Sequence, residues 1–266
     1  MAMQGAAEPQ MKDSRDSGME ENAYIASIVA GTFYLIVSQR LFRLSRRTRE
    51  RPELLLGICF AFTGLYYLGY NLPSLFGFDS WPPSIGSMLE WTYILGVFPL
   101  LFFIRSVFRP EDTWAGVLVG VCSALLLVTT TMAVLDGRNV YSFDNQWFLT
   151  QWTSYTAPCA WLCWEAMLSR RGARKRVRLG LCEPIVANRY LLIALFGGFQ
   201  FLACLADLSF AHDISSNQAA SLISDALLGG SEIAAVTVLW LAFLPPRFYS
   251  DWITRRAVIL PTPMDG

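Results

Sequence analysis

The chain has 266 residues, of which 54% are hydrophobic and only 16% are charged. A soluble domain usually carries about a quarter charged residues, so this composition predicts an integral membrane protein. The 21 basic and 21 acidic residues leave no net charge that would attract nucleic acid, and no nucleic-acid partner is expected.

Seven apolar segments follow one another along the chain and predict seven transmembrane helices. Six of them approach the ~20 residues that a helix needs to cross the hydrocarbon core, and the first reaches that length only if it continues to Phe42. Helices are expected because a helix satisfies its own backbone hydrogen bonds in lipid. The segments are Tyr24–Val37, Leu54–Leu72, Ile85–Phe103, Trp114–Leu135, Trp147–Leu168, Tyr190–Phe210 and Ala219–Leu244.

The distribution of basic residues predicts how these helices are oriented. Eighteen of the 21 lysines and arginines follow the first, third, fifth and seventh segments. The other side holds only Arg138 and two residues of the N-terminal tail, Lys12 and Arg15. Loops rich in lysine and arginine stay in the cytoplasm, so the N-terminus is expected outside and the C-terminus inside. We therefore predict an all-α, integral membrane seven-helix bundle that crosses the inner (plasma) membrane several times.

The two ends of the chain differ from the apolar region between them. Residues 1–21 are polar, lack the apolar core of a cleavable signal peptide, and predict a disordered tail. Residues 22–246 form the predicted transmembrane domain. Two prolines then end the last helix, and residues 247–266 form an inner segment. Phe248 and Trp252 can share a face there, which predicts a short helix lying in the inner membrane interface.

Membrane enzymes require residues that this chain does not offer. Seven-span zinc hydrolases similar to alkaline ceramidases need several histidines, and His212 is the only histidine. Rhomboid-type proteolysis needs a GxSG serine, whereas the nearest string is GGSE at Gly229–Glu232. Cys159 and Cys163 share a helix face, but a metal site needs more ligands than the sequence places nearby. We expect neither enzymatic activity nor a metal or other cofactor.

Three stretches at the predicted inner side carry a resemblance: RRTRERPELLLG, FFIRSVFRPEDTWA and WLAFLPPRFYSDWI. They resemble an uncharacterised group of bacterial seven-span membrane proteins, which implies the topology and a bacterial origin but no activity. The predicted topology is also similar to that of rhodopsin-type bundles, in which a lysine of the seventh helix holds retinal. The two lysines here, Lys12 and Lys175, lie outside the predicted helices, so a covalent retinal pigment is excluded.

Five carboxylates interrupt the apolar segments. Asp225 and Glu232 lie seven positions apart and therefore share a helix face. That face should point inward, because a carboxylate facing lipid costs on the order of 2.5–3.5 kcal/mol. The seventh segment has no lysine or arginine, so the two acids are either protonated hydrogen-bond donors or carboxylates that await a cation. We predict that they line a polar cavity facing Asp207. The five acids are Glu90, Glu165, Asp207, Asp225 and Glu232.

Aromatic residues are expected at a similar depth to these acids. Tyr67 and Tyr70 lie in the second segment and Trp91 in the third. Ring faces and carboxylates together favour an amine or another small cation, which predicts a ligand pocket open to the outside. The alternative is that these rings form an ordinary interface belt or core.

A second pairing is predicted near the inner ends of the helices. Glu165 lies near the inner end of the fifth segment, and Arg105 follows the third segment at the same depth. An intramembrane charge usually finds a partner, so we predict an ion pair between them.

Three functions remain open. The first is a receptor-like bundle that binds a small cationic ligand from outside and signals through its inner loops to a separate cytoplasmic partner. The second is a proton- or cation-coupled transporter with Asp207, Asp225 and Glu232 as a relay, although no repeat or broken helix pair supports it. The third is a membrane scaffold, in which protonated acids only tie helices together.

Overall fold

The computed structural model of the protein describes residues 14–76, 81–135, 147–211 and 218–259, and these residues form eight α-helices. The all-α prediction is confirmed for this part of the chain. Each of the seven predicted segments lies within one helix, except that Trp147 and Leu244 fall one residue outside α5 and α7. The helices are α1 (Ser14–Thr48), α2 (Arg51–Leu75), α3 (Pro83–Phe108), α4 (Thr113–Leu135), α5 (Phe148–Arg178), α6 (Pro184–Ala211), α7 (Gln218–Phe243) and α8 (Arg247–Ile259).

The boundary predicted for the N-terminal tail is wrong. α1 begins at Ser14, so the helix includes residues 14–21, which were expected to be disordered. Arginine, methionine and glutamate in this stretch are good helix formers, which explains why the helix extends beyond its apolar part. Residues 1–13 lie outside the described residues.

Helices α1 to α7 form a closed ring in chain order. Each packs against the next, α7 returns to α1, and α3 also contacts α5 across the ring. Neighbours run in opposite directions: Gly31 of α1 lies beside Leu68 of α2, whereas Gly57 lies beside Phe42. The ends of α1, α3 and α5 and the starts of α2 and α6 therefore meet at one end, which holds most of the basic residues. We call it the basic end.

Small residues allow two helix pairs to approach closely. A Cβ at Gly64 of α2 would lie 2.8 Å from the carbonyl oxygen of Gly31 in α1. A Cβ at Gly197 of α6 would lie 2.9 Å from the carbonyl oxygen of Cys159 in α5. Because both contacts are to backbone atoms, no larger side chain fits without moving a helix.

The link between α1 and α2 is very short. Arg49 and Glu50 alone connect the two helices, and the backbone amide of Arg49 donates to the carbonyl of Ser45 at 2.8 Å. Arg49 has a φ of 58°, the left-handed conformation that commonly ends a helix. This reversal sends α2 back alongside α1 at once.

The core lies inside the ring, and apolar side chains also cover much of its outside. Tyr34, Phe60 and Leu239 are fully buried inside the ring, on α1, α2 and α7. Outward-facing residues such as Val117 are exposed, in that case by 65%. Exposed apolar side chains of this kind are compatible with contact to a lipid bilayer.

Not every helix of the ring is equally suited to cross a membrane. Within the described residues, α2, α3, α4 and α6 are long and apolar enough, and α7 with α8 would make a fifth span bent by 76°. Helices α1 and α5 do not reach this apolarity. In α5 the reason is a polar inner face, since Gln151, Ser154 and Thr156 are buried there. The structure thus supports four or five spans directly, and seven remains a prediction.

The short helix predicted after the two prolines is present as α8. It begins at Arg247 and turns away from α7 by 76°. Asn188 at the start of α6 donates from Nδ2 to the Tyr249 hydroxyl of α8 at 2.9 Å. This hydrogen bond ties α8 to the basic end. That α8 lies in the inner membrane interface remains a prediction.

Candidate functional site

Glu232 lies in the interior of the ring. Its side chain is on the face of α7 that also buries Ala235, Val236 and Leu239, at the spacing of one helix face. The residue is only 4% exposed, and its Oε1 accepts a hydrogen bond from the Tyr67 hydroxyl of α2. Glu232 therefore points inward, as its charge and depth predict.

Polar contacts extend from Tyr67 across the ring. The rings of Tyr67 and Tyr34 stack with centroids 5.9 Å apart, and Gln200 Nε2 donates to the Tyr34 hydroxyl at 2.9 Å. Asn71 donates from Nδ2 to the carbonyl of Tyr67 at 2.7 Å. We call Glu232, Tyr67, Tyr34 and Gln200 the tyrosine–glutamate network. It joins four helices, α7, α2, α1 and α6.

The sequence interpretation missed two members of this network. Tyr34 occupies the face of α1 that also carries Ala30, Val37 and Leu41, so its spacing resembles that of an ordinary core residue. Gln200 is an amide in the middle of the apolar helix α6. A polar group at a core position in each helix was the available signal, because buried polar groups need partners.

More tyrosine rings continue from the network toward α3 and α5. The ring of Tyr66 packs edge-on against Tyr67, with centroids 5.7 Å apart, and at a tilt against Tyr93, with centroids 4.9 Å apart. Tyr93 meets Tyr155 of α5 at 5.8 Å. Such pairs contribute about 0.5–1.5 kcal/mol each beyond the area they bury. Rings from four helices, α1, α2, α3 and α5, thus lie around the centre of the bundle near Glu232.

The remaining predicted site residues lie at different distances from this centre. Tyr70 contacts Tyr66 at 5.8 Å but is 53% exposed, so it lies at the edge of the ring cluster. Trp91 is half-buried on α3 and makes no ring contact with the described aromatic residues. Glu90 is buried on the same helix.

Two of the predicted acids cannot be placed relative to Glu232. Asp207 falls in α6 and Asp225 in α7, but their side chains lie outside the described residues, as does His212. The polar cavity predicted between these acids and Glu232 therefore stays a prediction.

Glu165 pairs with Arg109, and the predicted partner, Arg105, was wrong. Arg109 follows the last residue of α3 and donates from Nε to Glu165 Oε1 at 2.9 Å. Arg105, one turn earlier, leans instead on α4, where Gly116 leaves room: a Cβ there would lie 3.3 Å from its Cζ. The hydrogen bond and negative charge of Glu165 raise the pKa of the Arg109 guanidinium above its ordinary value.

The contacts of Arg109 and Glu165 hold three helices together at the basic end. Arg109 Nη1 also donates to Asp112 at 3.2 Å, and its Cζ lies 5.8 Å from the centre of the Trp114 ring. Trp161 donates from Nε1 to Glu165 Oε1 at 3.3 Å and packs against Trp114. We call these five residues the basic-end cluster. They connect α3, the start of α4 and α5.

A metal site would need several ligating side chains close together. The described side chains contain no group of three or more histidine, cysteine, aspartate or glutamate residues that could hold a metal ion. Cys159, one of the two cysteines that share a helix face, instead donates from Sγ to the carbonyl of Tyr155 at 3.7 Å. It fills space in the α5–α6 contact as a small apolar residue.

The resemblance to bacterial seven-span proteins and the rhodopsin-like topology remain predictions from the sequence. Comparison with protein-family models, with curated proteins and with solved structures finds no match for this chain.

Proposed function

We propose that the protein is a receptor-like seven-span membrane protein that binds a small organic cation at Glu232. In this proposal the N-terminus lies outside, and the basic end faces the cytoplasm and contacts a separate signalling partner. The segregation of 18 of the 21 basic residues supports the orientation. A bacterial inner membrane fits the same charge distribution.

The packing of α1 and α5 supports seven spans rather than five. Each lies in the ring between helices that are apolar enough to cross a membrane. α5 turns its polar residues toward its neighbours, since Gln151 donates to Thr130 of α4 at 3.3 Å. α1 presents Val29 and Ile36 outward. A helix that hides its polar face in this way can cross lipid despite a lower mean hydropathy.

Topology mapping tests this part of the proposal. Reporter fusions after Arg174, in the basic extension of α5, should report the cytoplasm. Fusions at the N-terminus should report the outside. Fusions that place both on the same side of the membrane would refute the seven-span arrangement.

The observation that carries the ligand proposal is a buried carboxylate inside a cluster of tyrosine rings. Glu232 accepts from Tyr67, and the rings of Tyr34 and Tyr66 pack beside that tyrosine. A carboxylate supplies charge and hydrogen bonds to an ammonium group, and ring faces attract its alkyl shell. Anionic and neutral ligands have no comparable advantage at this carboxylate.

The course of α7 offers a route from the ligand to the partner. Glu232 lies on α7, which leads directly into α8 at the basic end. The Asn188–Tyr249 hydrogen bond then ties α8 to α6. A small shift of α7 against α2 would therefore move α8, which is the kind of helix shift that switching proteins use.

Ligand binding can be tested with two probe cations, tetramethylammonium and phenethylamine, on purified protein in lipid nanodiscs. We expect calorimetry to detect at least one of them with wild-type protein. Glu232→Gln keeps an acceptor for Tyr67 but loses the charge, so affinity should fall by about tenfold or more. Glu183→Gln removes an exposed glutamate at the basic end and is the matched control. Unchanged affinity in Glu232→Gln, or no binding of either probe, would refute the proposal.

One observation favours proton coupling as a second candidate function. A carboxyl group that accepts from a tyrosine hydroxyl, as Glu232 does from Tyr67, can take up a proton and later release it. In liposomes containing a pH-sensitive dye, such a transporter would acidify or alkalinise the lumen when a cation gradient is applied. A receptor would leave the lumenal pH unchanged, which separates the two functions.

A further inference from the structure

A cleft of about 500 Å³ opens between α2 and α3 near the basic end. It is separate from both the tyrosine–glutamate network and the basic-end cluster, and neither proposed function uses it. Its lining is formed by one face of each helix together with Pro110. The other lining residues are Arg51, Leu54 and Leu55 of α2 and Phe102, Arg105 and Ser106 of α3.

The polar and apolar residues of the cleft are separated along the helix axes. On α2, Arg51 lies at the first residue of the helix, and the two leucines lie one turn deeper in the bundle. On α3, which runs the opposite way, Phe102 lies one turn deeper than Arg105. The mouth at the basic end is therefore cationic, whereas the deeper part is apolar. A cationic mouth followed by an apolar interior matches an anionic lipid headgroup followed by the first part of its acyl chains.

Arg105 is held at the mouth of this cleft by its surroundings. Its Cζ lies close to α4 at Gly116, where a Cβ would be 3.3 Å away. Its Nε is buried and has no hydrogen-bond partner among the described residues. The rest of the side chain is only half-buried, so a phosphate in the cleft can supply an acceptor to the guanidinium group from outside the chain.

None of the residues that line the cleft is acidic. Glu53 lies two positions after Arg51 and therefore points away from the face that lines the cleft. Leu54 is 43% exposed and Phe102 47% exposed, and both would contact lipid chains in a membrane. The cleft thus combines two guanidinium groups with an open apolar floor.

We propose that this cleft binds the phosphate headgroup of an anionic phospholipid. Arg105 and Arg51 contact the phosphate, because guanidinium groups match phosphate oxygens in geometry and charge. Leu54 and Phe102 contact the first part of the acyl chains. The proposal requires only that α2 and α3 lie in a membrane, and it stands whether or not Glu232 binds a cation.

Native mass spectrometry of the full chain in detergent can measure this preference. The protein is mixed with equal amounts of phosphatidylglycerol and phosphatidylcholine, and the ratio of bound lipids is recorded. Wild-type protein should retain phosphatidylglycerol preferentially. Arg105→Gln should lower that preference by about fivefold, since each basic residue near the headgroups contributes roughly that factor. Arg171→Gln removes an exposed arginine of α5 and should leave the ratio unchanged.

Several results would overturn the proposal. A wild-type ratio in Arg105→Gln, or an equal loss in Arg171→Gln, would mean that the preference is a general effect of the basic loops. Displacement of phosphatidylglycerol by inorganic phosphate would mean that the cleft recognises a free ion rather than a lipid. Should Arg105→Gln fail to fold, Arg51→Gln decides the question, because Arg51 is exposed and its replacement should leave the fold intact. Unchanged preference in that variant would refute the proposal equally.

Discussion

Replacing Arg109 by glutamine tests whether the basic-end cluster stabilises the bundle. The substitution removes the cation but leaves the Glu165 carboxylate, which is only 4% exposed. Removing one partner of a fully buried ion pair costs about 3–5 kcal/mol. Arg109 is about one-third exposed, and Trp161 still donates to Glu165, so the cost should fall to about 2 kcal/mol.

A double-mutant cycle separates this effect from a general loss of packing. Glu165→Gln alone leaves Arg109 solvated on one side and should cost about 1 kcal/mol. The double variant should cost little more than that, so the coupling energy is expected to be about 1.5–2 kcal/mol. Asp112→Asn changes an exposed partner of Arg109 and should cost less than about 0.5 kcal/mol.

The free energy of unfolding can be measured in mixed micelles with an increasing fraction of SDS, with circular dichroism following the loss of helix. The reasoning would be refuted by an Arg109→Gln variant as stable as wild type. It would also be refuted if the two single effects added fully in the double variant, because the residues would then not act as a pair.

Two further substitutions test other contacts. Tyr67→Phe removes the donor to Glu232 and should cost about 0.6 kcal/mol in the same unfolding assay, the average for hydrogen bonds within membranes, and no more than about 1.7 kcal/mol; an unchanged free energy would mean that this contact contributes nothing. Gly197→Ala places a Cβ 2.9 Å from the carbonyl oxygen of Cys159 and should lower the melting temperature. Gly230→Ala, where nothing lies within 4 Å, is its control and should leave the melting temperature unchanged or slightly raised.

The sequence predicted the number and positions of the long helices well, because apolar runs of this length have few alternative structures. The start of α1 was placed wrongly because hydropathy reports where lipid is expected, whereas the helix continues through polar residues that favour it. The inward direction of Glu232 was predictable from the free-energy cost of a carboxylate that faces lipid.

The details of the site depend on rotation and tilt, which a single sequence does not determine. Arg105 and Arg109 lie four positions apart, so they share a helix face and differ by one turn in depth. Only the packing of the helices decides which of them contacts Glu165. In the structure Arg105 packs against α4 beside Gly116, which leaves Arg109 to pair with Glu165. Tyr34 and Gln200 come from distant parts of the chain, and their contact depends on how the ring of helices closes.

The close backbone contacts within α1–α2 and α5–α6 have a consequence for how the chain assembles. The α1–α2 pair is joined by two residues, so it can form as a hairpin before the rest of the chain has been synthesised. The α5–α6 pair, joined by residues 179–183, has the same property in the second half of the chain. A gene divided between α4 and α5 would leave each product with one complete hairpin. Two such fragments, made separately in the same cell, should therefore associate in the membrane and restore the ring of helices.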